Sequence, residues 1–272
     1  MGFWSNIFGK KVDLPSKSNP NVTNVNVGSN NTINNNLPPR DSNSLVNLPA
    51  KEMLDKRVKL VEKAFINSGI NGQKARVALC LDVSGSMENM FDNGTIQRVC
   101  ERLLPLGIKF DDNQAIDIFL FSNSSRCKFI GELTPNNFTT FVNEIIMRER
   151  NILWGGTDYS PVMELITDKY TDESGDPAYV MFLTDGDNSD HSATERTIKS
   201  ASRHGIFWQF VGIGNSSFSF LEQLDEMQGR KVDNANFFQL NDLSRISDEK
   251  LYERMLGEFP DWLKKAKALN II

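Results

Sequence analysis

Six short, mostly apolar runs divide the chain, at residues 77–81, 116–121, 127–130, 179–183, 207–211 and 237–240. Runs with so little polar alternation belong to strands covered on both faces, the usual state of a parallel sheet. Helical spacing fills the intervals. Ile96, Val99, Cys100, Leu103 and Leu104 form one stripe, and Phe138, Phe141, Ile145 and Ile146 predict another. Ser192-Ala193-Thr194-Glu195 reads as a capping box that opens a helix running to residue 203. Leu251, Met255 and Leu256 mark a late helix, and Pro260 starts a last one before Trp262 and Leu263. Ahead of the first strand, Leu54, Val58, Val61 and Phe65 predict a helix ended by Gly69 and the Asn71-Gly72 turn. Strand-helix alternation predicts an α/β fold with a doubly wound, mostly parallel sheet, right-handed crossovers and helices on both faces. Only residues 122–126 separate the second run from the third, too few for a crossover helix. The strand at Cys127 is therefore expected to be antiparallel and at an edge.

The first 48 residues break this pattern. Phe3, Trp4, Ile7 and Phe8 share one face of a short amphipathic segment over 1–12, followed by Lys10 and Lys11. It is too short to span a bilayer, and its lysines follow the apolar residues, so it fits neither a transmembrane helix nor a signal peptide. Residues 1–11 read either as a weak docking tag for a membrane surface or a partner's groove, or as a frayed terminus. Residues 13–48 are rich in Asn, Ser, Gly and Pro, and about half of residues 21–36 are Asn, the composition of a disordered linker. The folded domain, with its N-terminal helix, is expected over 49–272.

Charge and cysteine usage narrow the function classes. The chain has 272 residues with a formal net charge of -5, and its lysines and arginines are scattered. With a pI near 5.2, nothing supplies the basic stripe that a nucleic-acid binder needs. Cys80, Cys100 and Cys127 have neither metal-ligand spacing nor even number, and they read as small buried hydrophobes in a reducing cytosol. His191 and His204 are the only histidines, and no catalytic triad is expected.

Chemistry concentrates where strands end. Asp82-Val83-Ser84-Gly85-Ser86 closes the first run, placing a carboxylate and two hydroxyls at alternate residues, with Gly85 permitting a sharp turn. Gly155-Gly156-Thr157-Asp158 and Thr184-Asp185-Gly186-Asp187 offer oxygens at comparable positions downstream. Asp82 and Asp185 each end an apolar strand, which puts them on one rim of an open sheet. Asp158, Asp187 and Asp190 lie near that rim as tuning or solvated charges. Met87, Met90 and Phe91 either surround the site or pack beneath it.

These three segments resemble the metal-ion-dependent adhesion site of von Willebrand factor A domains, which takes D-x-S-x-S from one loop, a Thr from a second and an Asp from a third. The matching positions are Asp82, Ser84, Ser86, Thr157 and Asp185, without substitution. From about residue 75 onward the chain resembles the bacterial tellurium-resistance branch of that family. Gly94-Thr95-Ile96-Gln97, residues 207–212, Val232-Asp233-Asn234-Ala235 and residues 258–263 carry this likeness. The resemblance implies a Rossmann-like fold and a divalent cation, Mg²⁺ foremost, with Mn²⁺ or Ca²⁺ also suited to oxygen donors. It implies direct contact from the serine hydroxyls, charge from the two aspartates partly through water, and an open position for an Asp or Glu of a protein partner. The implied role is a cytoplasmic, non-enzymatic interaction module of a bacterial stress response, with residues 1–11 as a peripheral contact to the inner membrane surface or a partner. The alternative is a Mg²⁺-dependent hydrolase or phosphoryl-transfer enzyme. Against it stand Ser84, where a dehalogenase-type phosphatase has a second Asp, and the lack of a phosphate-binding glycine loop.

Overall fold

Within each apolar run, alternate side chains face opposite ways, and both ways are buried. In β1 (Arg76–Asp82), Val77, Leu79 and Leu81 enter one core while Ala78 and Cys80 enter another. The same division holds in β4 (Ala178–Thr184), with Tyr179, Met181 and Leu183 against Ala178, Val180 and Phe182. A strand wet on neither face has no reason to alternate polar with apolar residues, which explains the continuous runs. The computed structural model describes residues 47–123, 126–172 and 175–272; the segment expected over 1–12 and residues 13–46 of the linker expected over 13–48 lie outside them, while residues 47 and 48 belong to the first helix instead of the linker.

The remaining strands are β2 (Ile116–Phe121), β3 (Cys127–Leu133), β5 (Ile206–Ile213) and β6 (Ala235–Leu240), and the six-stranded sheet has the order β3-β2-β1-β4-β5-β6. All neighbours pair in parallel except β2 and β3, whose antiparallel hairpin makes β3 an edge as its short connection requires. The sheet is thus mostly parallel, with helices over both faces.

On one face lie α1 (Asn47–Asn67), α3 (Thr95–Phe110), α8 (Asp248–Leu256) and α9 (Phe259–Ala268), packed through Val61, Phe65, Leu104, Met255 and Trp262 among others. Leu54, Val61 and Phe65 of the predicted α1 stripe are buried. The opposite face is covered by α5 (Ser160–Asp172), α6 (His191–Ala201) and α7 (Ser219–Asp225), through Val162, Ile166, Ile198 and Leu221. Among the described residues no helix is long and apolar enough to cross a membrane.

Two local expectations are corrected. The stripe from Phe138 to Ile146 is not one helix: a turn leads to the single-turn α4 (Phe141–Glu144) and a 3-10 turn at Ile146–Arg148. Gln97 of α3 intercepts the groups a longer helix would pair, donating to the Phe138 carbonyl (2.6 Å) and accepting from Val142 N (3.2 Å). Phe138, Phe141 and Ile146 are nonetheless buried. Ser192 does not cap α6, which begins at His191 after Asp190. Asp190 instead turns its carboxylate to Tyr159 N (2.9 Å) and Ser160 N (2.8 Å), serving the amino end of α5.

Candidate metal centre

Strand order reverses at β1, with β2 on one side and β4 on the other, and such a switch point leaves a crevice beyond the strands' carboxyl ends. The register of β1 with β4 sets Leu81 against Leu183. The next residues, Asp82 and Thr184, close the two strands side by side. Thr184 Oγ1 donates to Asp82 Oδ2 at 2.6 Å, and Ser84 N donates to Asp82 Oδ1 at 2.8 Å. Asp82 is fully buried, and burial pushes its carboxyl up from 3.8 to about 6 despite those donors, with the nearby Asp185 charge adding to the rise. Burial likewise raises the Asp185 carboxyl.

Beyond Asp82 the chain turns through a 3-10 segment, Gly85–Met87, into α2 (Glu88–Asp92). That turn brings Ser84 Oγ to 3.2 Å from Ser86 Oγ, and Ser86 Oγ donates to Asp185 Oδ1 at 2.8 Å. Exposure grades outward: Asp82 is at 0%, Ser84 at 2% and Asp185 at 8%, while Ser86 is exposed. The oxygens therefore run from the buried Asp82 out to the surface at Ser86.

The loop carrying Thr157 is held against this segment by its backbone. Ser84 bridges to Gly155 as adjacent strands do, Gly85 N donates to Gly155 O (3.0 Å), and Trp154 N donates to Val83 O (2.7 Å). A Cβ on Gly155 would meet Ser122 Oγ at 2.7 Å, so only glycine allows this approach. Trp154 adopts φ 61°, a left-handed conformation unfavourable for a bulky residue, and its ring meets Phe91 edge-on at 5.5 Å. The Thr157 carbonyl accepts from Ser189 N (2.9 Å), and Ser189 Oγ lies 3.1 Å from it. Asp82, Ser84, Ser86 and Asp185 are joined by hydrogen bonds, then, while Thr157 stands on the adjoining loop. Its hydroxyl makes no hydrogen bond to the other four among the described residues.

The neighbouring acids have other partners. Asp190 holds the start of α5, and Asp158 accepts from Ser189 Oγ. Asp187 pairs with His191 Nε2 at 2.8 Å, and that imidazole stacks on Phe220 with centroids 3.8 Å apart. Met87 and Phe91 are buried and pack beneath the loop. Tyr159 is a structural partner that sequence reading misses, and Thr184, read there only as part of an oxygen-bearing segment, proves to be a second one. Tyr159 OH donates to Gly186 O (2.6 Å) and lies 3.2 Å from Thr184 Oγ1, fixing the third loop from below. No local pattern marks either residue, because their roles depend on the register of β1 with β4.

The donor set fits a small hard cation. Adjacent oxygens around octahedral Mg²⁺ lie about 3 Å apart, given Mg–O bonds of about 2.1 Å. The pairs here are separated by 3.2 Å and 2.8 Å. Among the described residues no three His, Cys, Asp or Glu side chains cluster as a metal site. A cation at this rim would depend on hydroxyl oxygens, which suits a hard ion and retains much of its charge.

Comparison with known proteins agrees with the fold. Residues 74–272 match a family model described as the vWA found in the TerF C terminus. A relative from Bacillus subtilis (strain 168), the uncharacterized protein YcbR, is 39% identical over 223 residues, covering 80% of this chain and 90% of that protein. Among solved structures, proximal thread matrix protein 1 from the mussel byssus superposes with a TM-score of 0.52 at 16% identity, over 68% of this chain and 47% of that one. A second structure of that protein, with a zinc-occupied MIDAS motif, superposes with a TM-score of 0.51 at 17% identity, over 67% and 48% of the two chains. This chain thus spans about half of the mussel protein, and the likeness establishes a shared fold.

Proposed function

The chain belongs to the family of vWA domains found in the TerF C terminus, and from that membership we propose a metal-dependent protein-interaction module that presents a divalent cation to a partner's carboxylate. Ser84, Ser86, Thr157, Asp82 and Asp185 would hold the ion, and Mg²⁺ is the cation we assign. The observation that carries this reading is the convergence of Ser84 Oγ, Ser86 Oγ and Asp185 Oδ1 at separations of 3.2 and 2.8 Å over the buried Asp82. The mussel protein's zinc-occupied MIDAS motif supports a divalent cation as the class of ligand.

When bound, the cation supplies positive charge and a coordination position that a carboxylate can take. The protein's own part is to orient the donors. Asp82 fixes the first turn through Ser84 N, Thr184 ties β4 to Asp82, and Tyr159 holds the loop behind Asp185. Binding rather than turnover is favoured because the nearby His191 is engaged with Asp187 and Phe220, so neither serine is paired with an imidazole base. The setting we propose is a bacterial tellurite or stress-response system in the cytoplasm, with residues 1–11 as a weak docking element for a partner or the inner membrane surface.

The test is affinity capture from bacterial lysate with the full chain, in Mg²⁺ and in chelator, beside Asp185→Ala. Partners retained by wild type in Mg²⁺ should fall at least about tenfold in chelator and with the variant, while circular dichroism stays unchanged. Capture indifferent to both treatments would refute the proposal.

A further inference from the structure

On the rim that carries the candidate metal centre, the sign of charge reverses towards β6. The loops beside the centre bear Asp158 and Asp187, which repel an acidic segment. Between the end of β6 and α8 lies a groove of about 790 Å³ lined by Arg245, Lys250 and Arg254, with Asp242 as its one carboxylate. That is a local excess of two positive charges in a chain with a net charge of -5.

These cations are free to change partners. Arg245 reaches Asp242 at 3.1 Å and Lys250 reaches Glu253 at 2.9 Å, pairs in which the cations are 84% and 64% exposed. Pairs so exposed contribute little and exchange readily. Arg254 lies 4.5 Å over the Phe238 ring, and no carboxylate pairs with it among the described residues. A flat guanidinium backed by a ring presents its fork to a carboxylate.

We propose that this groove is the second anchor of the same acidic partner, binding an Asp or Glu side chain of a segment whose first carboxylate sits on the cation. The inference rests on the metal-dependent reading above. The parallel strands β1, β4, β5 and β6 end on one rim, and three strand spacings separate β1 from β6, about 14 Å. An extended chain advances about 3.3–3.6 Å per residue, so acidic residues four or five positions apart reach both anchors. Single-site binding through one carboxylate is weak, and a second contact on the same segment raises affinity through effective concentration.

The test uses two fluorescein-labelled peptides on the full chain in Mg²⁺, one with a single Asp in a Gly-Ser background and one with Asp-Gly-Ser-Gly-Ser-Asp. The two-Asp peptide should bind at least about tenfold tighter. Arg245→Gln/Lys250→Gln, confined to exposed side chains, should remove that advantage while leaving single-Asp binding and Mg²⁺ calorimetry unchanged; adding Arg254→Gln should do the same. The groove is overturned if the two-Asp peptide has no advantage, if the advantage survives in both variants, or if nothing binds at about 1 mM. Displacement of the two-Asp peptide by a single-stranded oligonucleotide would overturn it too, by assigning the groove to a phosphate polymer. Failure of the metal reading looks different: both peptides would then bind equally well in chelator and with Asp185→Ala, whatever the groove carries.

Discussion

At the scale of one residue, Asp82 joins stability to the proposed cation. Its carboxyl titrates near 3.8 in the unfolded chain and at about 6 in the folded one, because burial penalises the charged form. Between those values the folded chain retains a proton that the unfolded chain has lost. The contribution is therefore fully present below about 4 and lost as pH rises through about 6. In chelator, the thermal midpoint should lose height over that window, and Asp82→Asn should flatten this part of the pH profile. A bound cation favours the ionised form, so protons compete with it. Mg²⁺ affinity by calorimetry should weaken about tenfold from pH 7 to pH 5, since only about one carboxyl in ten is ionised a unit below its pKa. Affinity independent of pH across this range would exclude Asp82 from the site. Asp82, Ser84 and Ser86 are legible in the sequence because they sit together at a strand's end. Thr184 is not, because a threonine closing an apolar strand gains its role only when β1 aligns beside β4.

At the scale of elements, the loop of Thr157 is positioned by what its glycines lack. A Cβ at Gly155 would lie 2.7 Å from Ser122 Oγ and 3.0 Å from Ser122 Cβ, whereas one at Gly156 would meet Asn123 Cβ at an ordinary 3.9 Å. Overpacking of the first kind costs about 1–3 kcal/mol. Gly155→Ala should lose that much in urea unfolding and weaken cation binding by shifting Thr157, while Gly156→Ala should remain close to wild type in both. Equal effects from the two would show that the close approach to Ser122 does not position the loop. The strands and the edge hairpin are legible because burial on both faces and a short connection leave few alternatives. The segment after Phe138 misleads because its apolar spacing is helical, while its backbone groups are claimed by Gln97, 41 residues away from Phe138. Ser192 misleads similarly: the cap pattern is present, but the nearby Asp190 serves another helix. In both cases a tertiary partner overrides a local rule.

At the scale of the molecule, α1, α3 and α8 are stapled on the face of the sheet that carries the first core. Asp248, at the start of α8, accepts from Arg102 Nε of α3 (2.6 Å) and from Arg57 Nε of α1 (3.0 Å). Arg102 also donates to the carbonyls of Leu243 (2.7 Å) and Ile246 (2.8 Å), so its guanidinium binds the turn before α8 as well as the helix. Pro105 lies within α3 and has no N–H to offer the Glu101 carbonyl, which instead receives a weak contact from Arg57 Nη1 at 3.5 Å. The two arginines are unequal. Arg102 is only 9% exposed, and removing its carboxylate leaves a buried charge with neutral acceptors alone, whereas Arg57 at 16% is nearer to water. Removing one partner of a buried pair costs about 3 kcal/mol or more, because the remaining charge stays desolvated. Asp248→Ala should therefore lose about 3 kcal/mol in urea unfolding. Arg57→Ala should lose less, since Asp248 keeps Arg102, and the double variant should fall short of the sum because both changes break one network. The staple joins helices on one face and touches no proposed ligand, so Mg²⁺ affinity by calorimetry should stay within about twofold in all three variants. Affinity that fell in step with stability would instead place α8 in energetic contact with the rim, and the staple would then set the strength of the site as well as that of the fold.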